Sequence, residues 1–144
     1  MIYAIGADHR GFAHKEYIKK AITSLQWQDV GAYDDERSDY PLFAKKVCEH
    51  IASGTAHGGV LLCGSGIGMA IAANRYKKIY AGLAWTVEVA QQCKEDDAVN
   101  VLVIPCDYVS TEKAVAMIYA WHEAVFKGGR YQERIDMIEK LGGI

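Results

Sequence analysis

The feature that most constrains the fold is a short apolar run that ends at a cysteine and is followed by three alternating glycines. Residues 60–62 are continuously apolar, which is typical of a strand buried on both faces. The glycines then predict a tight loop, and residues 69–73 are good helix formers. We therefore predict a strand, a loop and a helix in that order, with the thiol of Cys63 at the end of the strand.

The predicted loop brings bare backbone amides to the start of a helix. Unpaired N–H groups and the helix dipole both favour negative charge at such a place. The same field favours the thiolate form of Cys63. The stretch thus predicts a nucleophile or base beside an anion-binding loop. The alternative is a plain tight turn beside a buried and inert thiol, because free cysteine is often buried.

Apolar runs and stretches with helical spacing alternate along the rest of the chain. We predict strands over residues 2–5, 27–30, 60–62, 80–84 and 100–104, and helices over residues 12–25, 42–53, 69–73, 86–94, 111–126 and 131–141. This alternation predicts βαβ units, and hence an α/β fold with a parallel sheet and helices on both faces. The length of 144 residues suits one domain, residues 1–144.

Composition excludes several classes of protein. The net charge of −2 gives no support for a nucleic-acid or membrane partner. Neither a signal peptide nor an apolar run of membrane-spanning length is expected from the sequence. The four cysteines are scattered without a CxxC pair, so we expect no metal site and no disulfide framework. A reducing, cytoplasmic setting is the expectation.

Polar residues follow two of the predicted strands, where open parallel sheets bind their ligands. Asp8 and His9 follow the first strand, and they face the cysteine loop if the two strands are neighbours. The alternative for Asp8 is a helix N-cap. Arg130 and Arg134 are four residues apart, so they share a helical face that is suited to binding a phosphate. A solvated helix face is the alternative there.

The glycine loop matches none of the common nucleotide or nucleophile motifs. Gly64-Ser65-Gly66-Ile67-Gly68 is GxGxG and follows the third strand, which disfavours a dinucleotide site. No Gly-Lys-Ser/Thr sequence is present, and Ser65 lacks the GxSxG frame of a nucleophile elbow. Met69 stands where a cysteine phosphatase loop carries its arginine.

Six motifs taken in order resemble the type B ribose-5-phosphate isomerase family, which includes the galactose- and allose-6-phosphate isomerases. The motifs are Gly6-x-Asp8-His9-x-Gly11, Asp39-Tyr40-Pro41, Cys63-Gly64-Ser65-Gly66-Ile67-Gly68, Ala72-Ala73-Asn74, Asn100-Val101-Leu102 and Gly128-Gly129-Arg130-x-x-x-Arg134. The resemblance implies a cofactor-free aldose–ketose isomerase on a five-stranded, Rossmann-like α/β/α sandwich with a C-terminal helix. It also implies a homodimer, or a dimer of dimers, whose active sites are shared between subunits.

The resemblance further implies a role for each matching residue. Cys63 is the base, and the cis-enediolate intermediate is held by the Ser65 hydroxyl and the loop amides. His9, Arg130 and Arg134 bind the phosphate, while Asp8 and Tyr40 hold sugar hydroxyls. The loop amides concerned are those of Gly64, Ser65, Gly66, Ile67 and Gly68. The default substrate pair is ribose 5-phosphate and ribulose 5-phosphate.

The chain departs from the family pattern at two places. The family's His-Asn pair, whose histidine opens the sugar ring, matches Asp96 and Asp97. An arginine that binds phosphate after the fifth strand matches Asp107. Asp96 is then a candidate proton-transfer group, since carboxylates serve in that role. Alternatively, the substrate needs no ring opening, as with a tetrose 4-phosphate.

The sequence leaves further alternatives for the mechanism, the function and the substrate. A histidine borrowed from another chain, as in two-subunit galactose-6-phosphate isomerases, is disfavoured because this chain keeps both Cys63 and the arginine pair. A non-catalytic module that binds phosphosugars is the alternative outside enzymes, although such a module does not need the thiol. A tetrose or hexose phosphate is the other choice of substrate.

Overall fold

The computed structural model describes residues 1–141. Its strands are β1 (Ile2–Ala7), β2 (Gln26–Asp29), β3 (Gly58–Cys63), β4 (Ala81–Leu83) and β5 (Val101–Pro105). Its helices are α1 (Phe12–Ala21), α2 (Tyr40–Ala52), α3 (Ile67–Ala73), α4 (Val87–Asp97), α5 (Thr111–Glu123) and α6 (Arg130–Lys140). Within these residues, no helix has both the length and the apolar character needed to cross a membrane.

The five strands form one sheet in the order β2-β1-β3-β5-β4, and every pairing is parallel. β3 lies at the centre, with Leu62 opposite Ala7 of β1 and Cys63 opposite Pro105 of β5. One core cluster packs α1 and α5 on one face, and the other packs α2 and α3 on the opposite face. The predicted α/β fold with a parallel sheet is therefore confirmed.

The burial of β3 explains its unbroken apolar sequence. All six residues of the strand are buried. Val60 and Leu62 point into the cluster under α1 and α5, whereas Leu61 and Cys63 point into the cluster under α2 and α3. Because side chains alternate along a strand, a strand covered on both faces needs apolar residues throughout.

Three helix ends differ from the prediction by three or four residues. α1 ends at Ala21 rather than residue 25, because Ile22 leaves the helical conformation and its carbonyl accepts a hydrogen bond from the Trp27 indole at 3.0 Å. α5 ends at Glu123 rather than residue 126. α4 continues beyond residue 94 to Asp97, where Ala98 adopts a left-handed conformation with φ 51°. Propensity alone predicts such ends poorly, because tertiary contacts decide them.

Gly11 lies where the loop after β1 presses against the end of β3. A Cβ at this position would lie 2.5 Å from the backbone oxygen of Leu62. The φ of −98° is ordinary, so an alanine would otherwise be tolerated. We expect Gly11→Ala to lower the free energy of unfolding by about 1–3 kcal/mol, because neither backbone segment can yield without moving its strand. Urea unfolding measures this value, and a variant as stable as the parent would contradict the close contact.

Candidate active site

The carboxyl ends of β1, β3 and β5 meet at one edge of the sheet, which we call the carboxyl edge. The Asp8 amide donates to the Leu62 carbonyl at 3.2 Å, and the Cys106 amide donates to the Cys63 carbonyl at 2.9 Å. β1 and β3 are thus neighbours, as the sequence analysis required for Asp8 and His9 to face the cysteine loop. The charge of Asp8 also acts on the Cys63 thiol, so the two side chains are close.

Asp8 is a buried carboxyl group at this edge, with 5% of its surface exposed. Its Oδ1 accepts hydrogen bonds from the backbone amides of Arg10 at 2.9 Å and Gly11 at 3.2 Å. Oδ2 accepts no hydrogen bond within residues 1–141. The N-cap of α1 is Gly11, so Asp8 closes the turn that leads into the helix without being its N-cap. One carboxyl oxygen is held by the backbone and the other remains for a ligand hydroxyl.

His9 lies in the loop after β1, and its ring contacts the loop that leads to Tyr40 at the start of α2. The Nδ1 of His9 lies 3.3 Å from both the backbone oxygen and the amide nitrogen of Ser38. Tyr40 is the first residue of α2, after its N-cap Asp39. A Cβ placed on Gly68 would lie 2.5 Å from Cζ of Tyr40, so the phenol ring lies against the glycine loop. The fold therefore places Tyr40 against the glycine loop and His9 against Ser38, two residues before Tyr40.

Cys63 is buried, with 4% of its surface exposed. Burial raises the pKa of its thiol, while the amides of Met69 and Gly66 interact with the sulfur and act in the opposite direction. The loop amides favour the thiolate, as the sequence predicts, but in the single chain the desolvation of the sulfur outweighs them, so the net shift of the pKa is upward. By comparison, no such amides act on Cys48. Burial, and to a smaller extent repulsion from Glu49, raises the pKa of its thiol to about 12.

The glycine loop between β3 and α3 presents polar groups to the same edge. Gly66 is the N-cap of α3 with a φ of 76°, a conformation that favours glycine. Ser65 is exposed, and its Oγ accepts a hydrogen bond from the Ile67 amide at 3.2 Å. The amides of Gly64, Ser65 and Gly68 donate to no protein acceptor within the described part of the chain. They are available to an anion.

The other predicted site residues lie at the opposite, amino edge of the sheet. Asp96 and Asp97 end α4, which leads into the start of β5. The Lys127 ammonium donates to Oδ1 of Asp96 at 2.7 Å, and the Lys127 amide donates to the Glu95 carbonyl at 3.0 Å. α6 begins three residues later. Its far end reaches residues just before β4, since Lys78 pairs with Glu139 at 3.0 Å.

Arg130 and Arg134 share a helical face, as their spacing predicted. Both guanidinium groups lie over the ring of Tyr131, at 5.2 Å and 5.4 Å from its centre, and the Lys127 ammonium lies at 5.0 Å. Hydrogen bonding from Arg130 lowers the pKa of the Tyr131 phenol. The sequence motifs did not point to Lys127 or Tyr131. Lys127 directly precedes the Gly128-Gly129-Arg130-x-x-x-Arg134 motif, and Tyr131 lies within it.

The two groups of predicted site residues are separated by the height of the sheet. β3 has six residues, which span roughly 20 Å at about 3.3 Å per residue. Cys63, Asp8, His9 and Tyr40 therefore cannot meet Asp96 or the arginines of α6 within one chain. Arg10, which the sequence analysis did not single out, lies at the carboxyl edge and pairs with Asp107.

Known proteins are similar to this chain in both sequence and fold. A family model described as Ribose/Galactose Isomerase matches residues 3–138. Ribose-5-phosphate isomerase B of Escherichia coli strain K12 is 36% identical over 140 residues, covering 96% of this chain and 94% of that protein. A ribose 5-phosphate isomerase structure from Thermotoga maritima is 37% identical with a TM-score of 0.95, covering 97% of this chain and 98% of that one. Ribose-5-phosphate isomerase B of Mycoplasma genitalium, solved with bound ribulose-5-phosphate, is 31% identical with a TM-score of 0.91, covering 96% and 94%. The chain therefore belongs to the ribose/galactose isomerase family.

Proposed function

We propose that this chain interconverts ribose 5-phosphate and ribulose 5-phosphate without a cofactor, with Cys63 as the base. The observation that carries the proposal is the position of the thiol at the end of the central strand, close to Asp8 and the glycine loop. Relatives with 36% and 37% identity over nearly the whole chain carry this enzyme's name. Substrate, activity and the role of the base come to this chain from its likeness to the family, and the position of Cys63 supports that role.

The reaction moves a carbonyl between C1 and C2 of the open-chain sugar. The Cys63 thiolate removes the proton from C2 of the aldose, and the resulting thiol returns it to C1, while the proton of the C2 hydroxyl passes to the C1 oxygen. Between the two steps the substrate is a cis-enediolate, whose negative oxygen needs fixed donors. The amides of Gly64, Ser65 and Gly68 and the Ser65 hydroxyl supply them. Asp8 and Tyr40 hold sugar hydroxyls, and His9 contacts the phosphate.

We propose that each active site is built from two copies of the chain, as a homodimer or a dimer of dimers. The carboxyl edge of one chain holds Cys63, and the amino edge of its partner supplies Arg130 and Arg134. The separation of roughly one strand length within a chain supports this arrangement. A two-fold dimer repeats the same contact, so both sites are completed at once.

Asp96 takes the proton-transfer role that a histidine has in the family pattern. Its carboxyl group enters the site from the same amino edge as the arginines. Lys127 holds it at 2.7 Å, and this contact raises the pKa of the Lys127 ammonium. Asp97, the next residue, contacts the substrate. The ion pair fixes the carboxyl group at the end of α4, where the partner's substrate would lie.

We further propose a cytoplasmic setting. All four cysteines are free thiols. A catalytic thiol persists best in a reducing compartment, where disulfides are rare.

The raised pKa of the Cys63 thiol predicts a steep dependence on pH. Below its pKa, the thiolate fraction of the free enzyme rises about tenfold per pH unit, so kcat/KM for ribose 5-phosphate should rise similarly between about pH 7 and pH 9. Initial rates at subsaturating substrate measure this profile. A flat profile over the same range would contradict a buried thiol as the base.

The substitution at Asp96 favours a second candidate, an isomerase of a sugar phosphate that needs no ring opening. A four-carbon 4-phosphate cannot close a furanose through its phosphorylated oxygen. We therefore compare kcat/KM for tetrose, pentose and hexose phosphates with the same enzyme preparation. The proposal expects ribose 5-phosphate to be the best substrate. A higher value for the tetrose phosphate would replace it, and binding without turnover of any sugar would indicate a non-catalytic module.

A further inference from the structure

The guanidinium group of Arg10 covers the backbone of the residue that follows Cys63. A Cβ placed on Gly64 would lie 2.7 Å from both Cζ and Nε of Arg10, and 2.9 Å from its Nη1. The whole planar group therefore lies against Gly64, where only a glycine leaves room for it. Its charge acts on the Cys63 sulfur. Arg10 thus stands beside the proposed base.

Asp107, just after β5, holds this guanidinium group in place. The Nη2 of Arg10 donates to Oδ2 of Asp107, and the two side chains form an ion pair. The Asp107 amide in turn donates to the Gly64 carbonyl at 3.0 Å. The pair therefore ties together the loops after β1, β3 and β5. Few degrees of freedom remain for the arginine head group.

The pair leaves most of the donors of Arg10 unused. A guanidinium group has five N–H donors, and this one makes one side-chain hydrogen bond within residues 1–141. The side chains of Arg10 and Asp107 are 55% and 33% exposed, so the pair lies at the surface of the carboxyl edge. Guanidinium groups bind phosphate oxygens in pairs through adjacent N–H groups. Free donors at this position suit an incoming phosphate.

We propose that Arg10 is a phosphate-binding residue of the carboxyl-edge half of the site and that Asp107 positions it. The inference rests on the proposed function for the identity of the substrate. Arg130 and Arg134 lie at the amino edge of the sheet. Arg10, in contrast, lies at the carboxyl edge, beside the cysteine of its own chain. The family pattern places an arginine where Asp107 stands. Here the guanidinium group reaches the same loop from β1, and the aspartate has become its partner.

The test compares Arg10→Ala and Arg10→Lys with Lys20→Ala, which removes one positive charge from an exposed position on α1. Two quantities are measured: the KM for ribose 5-phosphate, and the inhibition constant of inorganic phosphate as a competitor. We expect Arg10→Ala to raise both about tenfold or more, with kcat changed less than threefold. Arg10→Lys keeps a point charge and should show a smaller rise. Lys20→Ala should match the parent.

A purely structural role would give a different result. Arg10→Ala with an unchanged inhibition constant for phosphate would overturn the assignment, whether or not the variant is less stable. A loss of kcat at unchanged phosphate affinity would instead place Arg10 against the reacting carbons. Thermal unfolding of each variant confirms that folded enzyme is compared.

A charge exchange tests the role assigned to Asp107. Arg10→Asp alone should lose phosphate affinity. Arg10→Asp combined with Asp107→Arg should recover it, because the ion pair is restored with the guanidinium group on residue 107, after β5. A combined variant as weak as Arg10→Asp would overturn the positioning role. If the parent binds phosphate but does not isomerise ribose 5-phosphate, the proposed function fails, and phosphate titration by calorimetry still tests Arg10.

Discussion

Replacing Cys63 with alanine is expected to lower kcat for ribose 5-phosphate isomerisation by about 10²–10⁴-fold, the range that general-base catalysis contributes. The reason is that no other group at the carboxyl edge is assigned to remove the C2 proton. Asp8 has one oxygen held by two backbone amides. The substrate contacts remain in place, so KM should change little. Steady-state kinetics at saturating substrate measure the effect.

Cys48→Ala is the matched control for this variant. Cys48 is also buried and belongs to the same core cluster, and its thiol lies 3.9 Å from the carbonyl of Ala73, at the end of α3 opposite the glycine loop. Both substitutions remove one buried sulfur and cost similar stability, but only Cys63→Ala should lose activity. Cys63→Ser keeps the shape of the side chain and should also be nearly inactive. Substantial turnover by Cys63→Ala would exclude this thiol as the base.

Mixing two inactive variants is expected to restore activity if the sites are shared between chains. Cys63→Ala damages the carboxyl edge, and the double variant Arg130→Ala with Arg134→Ala damages the amino edge. The double variant alone should lose about a hundredfold or more in kcat/KM, because two charge-assisted contacts to the phosphate are removed. In a mixed dimer, one site combines the two intact edges. Random pairing of equal amounts in a two-fold dimer gives about a quarter of the parent's activity.

The control for this experiment pairs Cys63→Ala with a chain that carries all three substitutions. No mixed dimer then contains an intact site, so the mixture should stay inactive. The variants are co-expressed or refolded together so that chains exchange. If the first mixture is no more active than its components, then each site is contained in one chain, against the placement of the arginines at the opposite edge.

The order of strands and helices could be predicted from the sequence because hydrophobic periodicity reports burial directly. The run before Cys63 is continuous since β3 is covered on both faces. The end of α1 could not be predicted, because the Trp27 indole and the buried Ile22 side chain set it through contacts distant from the helix pattern. The extension of α4 to Asp97 could not be predicted either, because polar residues at a helix end add little to the hydrophobic periodicity.

Motif spacing predicts most of the residues proposed for the site, but not Arg10, Lys127 or Tyr131, and not the arrangement of the site. Motif spacing places Asp8 after β1 and Cys63 after β3, and a parallel sheet brings neighbouring strand ends together. That Arg130 and Arg134 lie at the other edge follows only from the full topology. The raised pKa of Cys63 depends on how deeply the sulfur is buried, which no local pattern reports. The pairing of Arg10 with Asp107 joins residues 97 positions apart.

The central claim is that Cys63 exchanges the carbon-bound proton of a sugar phosphate. Proton NMR of ribose 5-phosphate in deuterium oxide tests it most directly, because a thiol that exchanges its proton with the solvent delivers deuterium to the carbon of the enediolate. The account predicts incorporation with the parent enzyme and with Cys48→Ala, and incorporation at the uncatalysed rate with Cys63→Ala. Incorporation by Cys63→Ala at the parent's rate would contradict it.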